Sequence, residues 1–358
     1  MFDNRNILLY PLAVGYGIIT GTRNFLYNTG ILKSIEFDIP VICIGNITIG
    51  GTGKTPHTEY LAKLLSNDFK VAVLSRGYKR ETSNFIIGQE SSTVRDIGDE
   101  PLQMLKKLPG ITIAVDKNRV NGINMIIRNR PGTEVIILDD GFQHRKLTAG
   151  LSILLIDFER PVNEDHMIPF GSLREYRHNI RRADIIIVTK TPPDLNPVQR
   201  RLDLDKIGRL SYQNVFFTSL KYKNPMPVFG NANLELEWNS FQGNGAVLVT
   251  GIANPKPLLR HLQRTFSEVK HLSYPDHYNF AASDIPAFGK ALNELKTSDR
   301  YLITTEKDMI RLRELTDIPE ELKKAFYYIP IGIEFLNDDN IQFDKQILDY
   351  VRKNKRNS

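Results

Sequence analysis

VICIGNITIGGTGKTPHTEYLAKLL, residues 41–65, is the segment that indicates the fold class of this chain of 358 residues. A run of Val and Ile leads into Gly50, Gly51 and Gly53, and Lys54 and Thr55 come next, ahead of apolar residues at helical spacing. A strand, a glycine-rich turn and a helix in this order are the layout of a P-loop. The sequence therefore predicts that this segment binds the phosphates of a nucleotide.

Each part of the turn has a chemical task in this prediction. Glycines allow backbone N–H groups to converge on phosphate oxygens, the Lys54 ammonium reaches the terminal phosphates, and the Thr55 hydroxyl binds Mg²⁺. The strict pattern asks for glycine at position 48, where this chain has Thr48. The predicted nucleotide-binding residues are Thr48, Ile49, Gly50, Gly51, Thr52, Gly53, Lys54 and Thr55.

Short apolar runs alternate with amphipathic stretches on both sides of this motif, which is typical of parallel strands joined by helices. The first set of predicted strands lies at 40–45, 71–75, 112–115, 135–139, 152–156 and 184–189. Three further runs, at 245–253, 301–308 and 325–335, predict a second lobe. We expect an α/β fold: a P-loop NTPase-type, mostly parallel sheet flanked by helices, a smaller α/β lobe and an N-terminal apolar helix. The expected boundaries are 1–35 for the N-terminal segment, 36–215 for the P-loop domain and 216–358 for the second lobe.

Composition narrows the function classes. Hydrophobic residues make up 41% of the chain and charged residues 25%, as in a folded globular protein. The net charge of +6 is a mild excess for this length, so the sequence does not favour nucleic acid as a partner but is compatible with anionic ligands or an anionic membrane. The single cysteine, Cys43, has apolar neighbours and is predicted to be a buried core thiol in a reducing compartment.

The N-terminal segment at residues 6–22 carries no charge between Arg5 and Arg23, but it contains Pro11 and three glycines. It is too short and too interrupted to span a bilayer, and it lacks the features of a secretory signal. Two interpretations remain open from the residues alone: a helix packed on the domain, or an apolar helix lying in the membrane interface.

A P-loop needs a carboxylate for Mg²⁺, usually at the end of a neighbouring apolar strand. The stretch VIILDDGFQH, residues 135–144, offers Asp139 and Asp140 in that position, and we favour Asp139 for the metal. Gln143 and His144 follow closely and are candidates for supporting contacts, although a structural role fits His144 equally well.

Two other clusters carry chemistry. GDEPLQM, residues 98–104, contains Asp99 and Glu100, and YPDHY, residues 274–278, contains Asp276 and His277. A kinase needs a base near the acceptor hydroxyl, and a carboxylate oriented by a histidine can serve. Each cluster taken alone is also compatible with a helix start or a loop. Guanine specificity is disfavoured, because Thr189-Lys190 is not followed by Asp at the required spacing.

Six motifs in order resemble the tetraacyldisaccharide 4'-kinase family, which is the lipid A 4'-kinase. They are NITIGGTGKTP at 46–56, LSRGYKR at 74–80, GDEP at 98–101, DDGFQHRKL at 139–147, GSLRE at 171–175 and TEKD at 305–308. The resemblance implies ATP and Mg²⁺ as cofactors and transfer of the γ-phosphate to the 4'-hydroxyl of a tetraacyldisaccharide 1-phosphate. It also implies a peripheral protein on the cytoplasmic face of the bacterial inner membrane, and it favours the interfacial role for the N-terminal segment.

The resemblance also implies roles for individual residues. Asp99 is the expected base, assisted by His277, with Lys54, Asp139 and Asp140 as the other catalytic residues. The expected metal ligands are Thr55, Asp139 and Glu100, and the expected substrate-binding residues are Glu100, Gln143, His144 and Arg174. Two positions depart from the family pattern: Ser172 stands where proline is common, and Tyr278 stands where a second histidine commonly follows His277.

If helical, the segment after Arg174 would place Arg174, Arg177, Arg181 and Arg182 on one face, where guanidinium groups could hold a phosphate. We expect a monomer that acts on a lipid at the inner-membrane surface, with no nucleic-acid partner. The alternatives are a P-loop switch ATPase that phosphorylates no acceptor and a kinase of a soluble sugar.

Overall fold

The computed structural model describes residues 7–230 and 236–355. The chain forms two compact units. The first extends to Leu220 and resumes at Ile333, and the second spans Lys221–Gly332.

The first unit is built on a mostly parallel sheet, which confirms the predicted fold class. Within the described residues nine strands form this sheet, in the order β14-β8-β7-β6-β1-β5-β2-β4-β3. Numbered along the chain, they are β1 Val41–Gly45, β2 Val71–Ser75, β3 Ile86–Ile87, β4 Thr112–Val115, β5 Val135–Asp139, β6 Leu151–Asp157, β7 Ile185–Thr189, β8 Asn214–Tyr222 and β14 Ile331–Phe335. The six strands predicted for this lobe are all present, because each is a continuous apolar run.

The register of the sheet brings three strand ends to the same edge. β1 pairs in parallel with β5 on one side and with β6 on the other. Ile44 of β1 lies opposite Asp139, and Gly45 lies opposite Leu154 of β6. The turn that follows β1 is therefore flanked by the carboxyl ends of β5 and β6, where ligands of such sheets bind.

The helices of this unit cover both faces of the sheet. They are α1 Tyr10–Asn28, α2 Lys54–Ser66, α3 Val94–Ile97, α4 Asp99–Lys107, α5 Arg119–Asn129, α6 Pro197–Ile207 and α11 Asp339–Asn354. One core cluster packs α2 and α11 against the sheet, and a second packs α5 and part of α1 against the other set of strand side chains. Cys43 of β1 is buried in the second cluster, as predicted for a core thiol.

The C-terminal segment differs from the expected boundary of the second lobe at 216–358. The predicted strand at 325–335 is two strands, and its second half, β14, joins the first sheet. Phe343, Ile347 and Val351 of α11 are buried in the core of the first unit. The sequence analysis did not predict this packing, because α2 and α11 are about 280 residues apart and local patterns do not report contacts between distant segments.

The second unit is a smaller α/β lobe with a five-stranded sheet, counted over the described residues, in the order β11-β10-β12-β13-β9. Its strands are β9 Met226–Pro227, β10 Gly245–Thr250, β11 Glu268–Ser273, β12 Arg300–Thr305 and β13 Phe326–Ile329. Its helices are α7 Lys256–Thr265, α8 Ile285–Asn293, α9 Glu306–Leu312 and α10 Glu320–Ala325. Pairing is parallel except at the edge strand β9, which runs antiparallel to β13.

The predicted N-terminal helix is present as α1, preceded by a short 3-10 helix at Ile7–Leu9. Arg5 and Asn6, at the start of the predicted segment, lie outside the described residues. In the part of the chain that the structure describes, no helix combines the length and the apolar character needed to cross a bilayer.

Candidate active site

The turn between β1 and α2 has the backbone of a phosphate-binding loop. Gly50 and Gly53 have φ angles of +98° and +82°, in the left-handed region that glycine adopts without strain. Gly53 directly precedes α2, whose first residues are Lys54 and Thr55. The positive end of the helix dipole therefore lies at the turn, as anion binding requires.

The turn is anchored from inside the protein. Thr52 is fully buried, its hydroxyl oxygen accepts a hydrogen bond from Asn46 Nδ2 at 2.9 Å, and its carbonyl oxygen accepts one from Thr189 Oγ1 at 2.9 Å. The Thr52 N–H donates to the Gly50 carbonyl oxygen at 3.0 Å. The backbone N–H of Thr52, one of the predicted nucleotide-binding residues, is thus already engaged within the turn.

The departure from the strict motif at Thr48 has a simple explanation in the backbone. Thr48 is buried and forms an isolated antiparallel bridge with Leu173, and the neighbouring Ile49 N–H donates to the Ser172 carbonyl oxygen at 2.7 Å. A bridging residue has an extended backbone, which any residue can adopt. Glycine is therefore not required at this position.

Asp139 ends β5 with a buried side chain. Its carboxylate accepts hydrogen bonds from Ser75 Oγ at 3.1 Å and from Thr58 Oγ1 at 3.2 Å. Burial, and then the nearby charges of Asp140 and Glu100, raise the pKa of Asp139 to about 6. The part of this rise that comes from the neighbouring carboxylates would be offset by a bound cation.

Asp140 is held by two cations. Its Oδ2 accepts a hydrogen bond from Arg174 Nη1 at 3.2 Å, and Lys54 Nζ lies 3.7 Å from its Oδ1. Burial acts to raise the pKa of Asp140, but Lys54 and then Arg174 outweigh it and hold this pKa below its usual range. Lys54, Asp140 and Arg174 thus form one connected network.

Gln143 belongs to the same network, whereas His144 does not. Gln143 Nε2 donates to the Asn46 carbonyl oxygen at 2.6 Å, and its Oε1 accepts from Arg174 Nη1 at 3.4 Å. The pKa of His144 is lowered to about 4 by burial and then by Arg119, so the ring is neutral at pH 7. The buried Nε2 of His144 has no hydrogen-bond partner among the described residues.

Asp99 is the first residue of α4 and is buried. The helix is fixed to α2 by a hydrogen bond of 2.9 Å from Gln103 Nε2 to Glu59 Oε1. Glu100 is close enough to contribute to the raised pKa of Asp139. Within the first unit, α4 therefore carries Asp99 and Glu100 at the same region as the P-loop and the acidic pair.

His277 lies in the second unit, in a backbone turn with φ of +61°. Its N–H donates to the Gly251 carbonyl oxygen, and the Gly251 N–H donates to Asp308 Oδ2, both at 2.9 Å. Lys307 Nζ lies 3.1 Å from His277 Nε2 and Arg311 Nη2 lies 3.2 Å from Nδ1. The TEKD motif therefore positions this histidine within its own unit, through Asp308 and Gly251.

Comparison with known proteins shows the family to which this chain belongs. Residues 5–352 match the family described as tetraacyldisaccharide-1-P 4'-kinase. The chain belongs to the tetraacyldisaccharide 4'-kinase family. It is 43% identical over 358 residues to a tetraacyldisaccharide 4'-kinase of Bacteroides thetaiotaomicron, covering 98% of this chain and 94% of that relative. It is 44% identical over 355 residues to that of Phocaeicola vulgatus, covering 99% of this chain and 97% of that relative.

A solved structure of the family has the same fold. The "apo" form LpxK from Aquifex aeolicus, in complex with ATP, matches with a TM-score of 0.72 at 27% identity, covering 96% of this chain and 98% of that chain. The resemblance stated from six sequence motifs is thereby confirmed, as are the kinase class and the α/β fold.

The residues at the turn suit ATP and Mg²⁺, the cofactors of this kinase family. Mg²⁺ prefers hard oxygen ligands and usually keeps several waters, so it needs only one or two protein carboxylates. The Thr55 hydroxyl at the start of α2 and the buried Asp139 carboxylate are ligands of this kind, and Glu100 lies near them. Over residues 7–230 and 236–355 no group of three or more His, Cys, Asp or Glu side chains could hold a metal ion by itself.

The predicted face of four arginines is wrong. Arg174 precedes the 3-10 helix at Arg177–Arg182 and donates its backbone N–H to the Ile47 carbonyl oxygen at 2.7 Å. Arg182 turns inward, with Nη2 2.6 Å from Glu175 Oε2 and its guanidinium 4.3 Å from the centre of the Phe142 ring. Of the four arginines, Arg177 and Arg181 are the two that are exposed.

Several residues of the site were not predicted. Ser75 and Thr58 orient Asp139, and Asp165 accepts hydrogen bonds from the backbone N–H and the hydroxyl of Ser172. Both of these bonds to Asp165 come from Ser172, which stands where the family commonly has proline. Proline could donate neither bond, because it has no backbone N–H and no hydroxyl. Ser75 lies in the motif LSRGYKR, whereas Thr58 and Asp165 lie outside the six motifs. No role followed from any of these three residues in the sequence, and only the fold shows which side chains they contact.

Proposed function

We propose that this protein is an ATP-dependent lipid kinase of lipid A (lipopolysaccharide) biosynthesis. It transfers the γ-phosphate of ATP to the 4'-hydroxyl of a tetraacyldisaccharide 1-phosphate. The observation that carries this proposal is the family match over residues 5–352, in a chain whose P-loop lysine pairs with Asp140. Neither a switch ATPase nor a kinase of a soluble sugar is favoured by that match.

The residues of the first unit suit phosphoryl transfer. Lys54 and the amides of the turn neutralise negative charge on the phosphates, and Thr55 and Asp139 would hold Mg²⁺, which supplies further charge neutralisation when bound. Asp99 takes the proton of the acceptor hydroxyl as the new oxygen–phosphorus bond forms. No covalent intermediate on the protein is required in this mechanism.

The supporting residues keep the roles expected for them. The family resemblance assigns to His277 a part in proton transfer, and we propose that Glu100, Gln143, His144 and Arg174 contribute to substrate binding. The pairing of Arg174 with both Asp140 and Gln143 supports a function for Arg174 at this site. The neutral state of His144 at pH 7 supports a role as a hydrogen-bonding group rather than as a cation.

We further propose that α1 lies in the membrane interface, on the cytoplasmic face of the bacterial inner membrane, and that the protein is a monomer. The buried residues of α1 are all small or polar: Ala13, Gly17, Thr20 and Asn24. Its large apolar side chains point outward, and those exposed by 61% or more in and just before the helix are Ile7, Leu8, Leu12, Ile18, Ile19 and Phe25. An apolar face of this size turned to the outside is typical of a membrane-interface helix.

The buried face of α1 is attached to the segment that carries Arg174. Asn24 Nδ2 donates to the buried Glu175 Oε2 at 2.8 Å, and Tyr16 Oη donates to the Arg174 carbonyl oxygen at 3.2 Å. A helix in the membrane interface would thus be fixed directly to a residue of the candidate site. This attachment supports an acceptor that is reached from the bilayer.

The function is tested by an assay with γ-labelled ATP, Mg²⁺ and detergent-dispersed tetraacyldisaccharide 1-phosphate, with Lys54→Ala as the blank. We expect label in the lipid that depends on the acceptor. Hydrolysis of ATP that is unchanged by the lipid, with no labelled product, would point to the switch ATPase instead.

Membrane association is tested by flotation with vesicles of anionic phospholipid. The double variant Leu12→Glu Ile19→Glu should no longer float with the vesicles. Val198→Glu on α6 is the matched control, because Val198 is 71% exposed on another helix of the same unit. Unchanged flotation of the double variant would remove α1 as the membrane element. The proposal that the protein is a monomer is tested by light scattering, which measures the molar mass of the detergent-dispersed protein.

A further inference from the structure

Two cations share one buried carboxylate beside the P-loop. Asp157 is the last residue of β6, and its side chain is 3% exposed. Lys190 Nζ lies 2.6 Å from Asp157 Oδ2, and Arg160 Nη2 lies 3.1 Å from the same oxygen. Two positive charges against one negative charge leave this group of three side chains with a net positive charge, which favours an anion next to it.

The guanidinium of Arg160 lies against the exposed part of the P-loop. Its Nη1 is 3.5 Å from the Ile49 carbonyl oxygen, at the limit of a hydrogen bond. A Cβ atom added to Gly50 would lie 3.0 Å from Nη1 and 3.1 Å from Nη2 of this side chain. Gly50 therefore lets the guanidinium reach the loop backbone at the turn where the phosphates bind.

The two ends of this guanidinium have different partners. Nη2 and Nε face Asp157, at 3.1 and 3.4 Å, which fixes the plane of the group. Nη1 faces the loop, where its contact with Ile49 is long. An arginine oriented by a carboxylate on one side and directed at a phosphate-binding turn on the other is suited to forked hydrogen bonds with phosphate oxygens.

We propose that Arg160 is a further catalytic residue, which binds the γ-phosphate of ATP from the outer side of the P-loop and stabilises the charge that develops on it during transfer. Asp157 and Lys190 act as positioning residues for this guanidinium. The inference rests on the proposed kinase function, and an arginine supplied by the same chain is a recurring device in phosphoryl transfer.

Arg160 takes no part in the proton and bond changes of the transfer step. The acceptor hydroxyl oxygen bonds to the γ-phosphorus, the bond from that phosphorus to the oxygen bridging to the β-phosphorus breaks, and ADP leaves with that oxygen. Asp99 receives the hydroxyl proton. Arg160 contacts the oxygens of the transferred group throughout and neither gains nor loses a proton.

A purely structural role for Arg160 makes a different prediction. An arginine that only supports the loop backbone would affect every nucleotide that the loop binds. An arginine that contacts the γ-phosphate affects ATP and not ADP. The ratio of the two affinities therefore separates the roles, and the ADP affinity reports at the same time whether the loop is intact.

The experiment measures dissociation constants for ADP and for an ATP analogue with a non-hydrolysable β–γ bridge, by titration calorimetry with Mg²⁺. For Arg160→Ala we expect the analogue to bind roughly ten-fold more weakly, as for loss of a charged hydrogen bond, and ADP to bind within about two-fold of wild type. We expect kcat to fall by about 100-fold or more, and Arg160→Lys to recover part of both losses.

Arg200→Ala is the matched control. Arg200 pairs with Asp339 and lies over the Phe217 ring in the same unit, so its loss should leave the ratio of the two affinities unchanged. Equal weakening of the analogue and of ADP in Arg160→Ala, or no weakening of either, would overturn the inference. Phosphorylation of the lipid by the wild-type protein is a separate readout: its absence would remove the proposed function, whereas an unchanged ratio would remove only the role of Arg160.

Discussion

Among single residues of the candidate site, Lys54 is proposed to bind the nucleotide and Asp99 to accept a proton. Lys54 lies in the P-loop and next to Asp140, whereas Asp99 lies on a different helix, α4. We expect Asp99→Ala to lower kcat by about 100-fold to 10,000-fold while the affinity for ATP is largely kept, because a general base acts only in the transition state. Lys54→Ala should lower both kcat and the affinity for ATP. Steady-state kinetics with a separate binding assay measure the two effects, and near wild-type turnover of Asp99→Ala would remove its assignment as base.

His57 shows how a buried side chain of the P-loop helix responds to pH. Its Nδ1 lies 2.7 Å from the Gly53 carbonyl oxygen and its Nε2 lies 2.9 Å from Thr218 Oγ1. Since Nδ1 faces a carbonyl, it donates, and Nε2 then accepts from the threonine hydroxyl. Burial lowers the pKa of His57 from 6.5 to about 4, against the smaller raising effect of the Gly53 hydrogen bond.

The sign of the resulting pH effect follows from linkage. Between pH 6.5 and about 4 the unfolded chain binds a proton at His57 and the folded protein does not, so the free energy of unfolding falls as the pH falls. His57 contributes on the order of 3 kcal/mol to this loss. In His57→Gln we expect the unfolding free energy to change less between pH 7 and pH 4.5, as measured by urea denaturation at each pH. A variant with the same pH dependence as wild type would contradict the neutral buried state of His57.

Membership of a motif does not by itself separate the candidate site residues that the sequence predicted from those that it missed, because Ser75 lies within LSRGYKR and was missed. Lys54, Asp139 and Asp140 were predicted because a glycine-rich turn and an apolar strand ending in Asp are local patterns. Asp157 and Arg160 were missed, since a strand ending in Asp is common and only the sheet order places β6 beside β1.

Among secondary-structure elements, prediction succeeded where an element was a continuous apolar run and failed where its partners were distant in sequence. β1, β5 and β7 are buried along their whole length, so their sequences show no alternation to misread. The placement of α11 depended on Tyr60 and Phe216, which lie far from it in the sequence but contact Phe343 in space. Local patterns contain no information on such pairings.

The packing of α11 on the first sheet can be tested by substitution within the helix. Phe343 is 2% exposed and its ring centre lies 4.8 Å from that of Phe335 and 5.4 Å from that of Phe216. We expect Phe343→Ala to lower the free energy of unfolding of the first unit by about 3–5 kcal/mol, through lost burial and the cavity left behind. Ile341→Ala in the same helix should change it by less than about 0.5 kcal/mol, because Ile341 is 70% exposed. Denaturation followed by circular dichroism compares the two, and similar losses would contradict the packing of α11 on the first sheet.

Across the protein as a whole, α1 differs from the other long helices of the first unit in its polarity. The apolar side chains of α2 and α11 face the sheet. In α1 the buried positions are small or polar, and the apolar positions face outward. The inversion supports the proposal that α1 lies in the membrane interface. If its outward face contacts the bilayer, α1 would hold the candidate site near an acceptor that carries four acyl chains.

This arrangement predicts that substitutions on the outward face of α1 affect activity on a micellar acceptor but not on a water-soluble one. In Leu12→Glu Ile19→Glu we expect a higher apparent KM for tetraacyldisaccharide 1-phosphate in mixed micelles, because the charged helix no longer concentrates the protein at the lipid surface. The rate with a short-chain, water-soluble analogue should stay close to that of wild type, since both side chains lie on the outward face of α1. Val198→Glu should leave both rates unchanged. An equal loss on the micellar and the soluble acceptor would mean that α1 supports the fold or the site itself, and that the membrane-interface role is wrong.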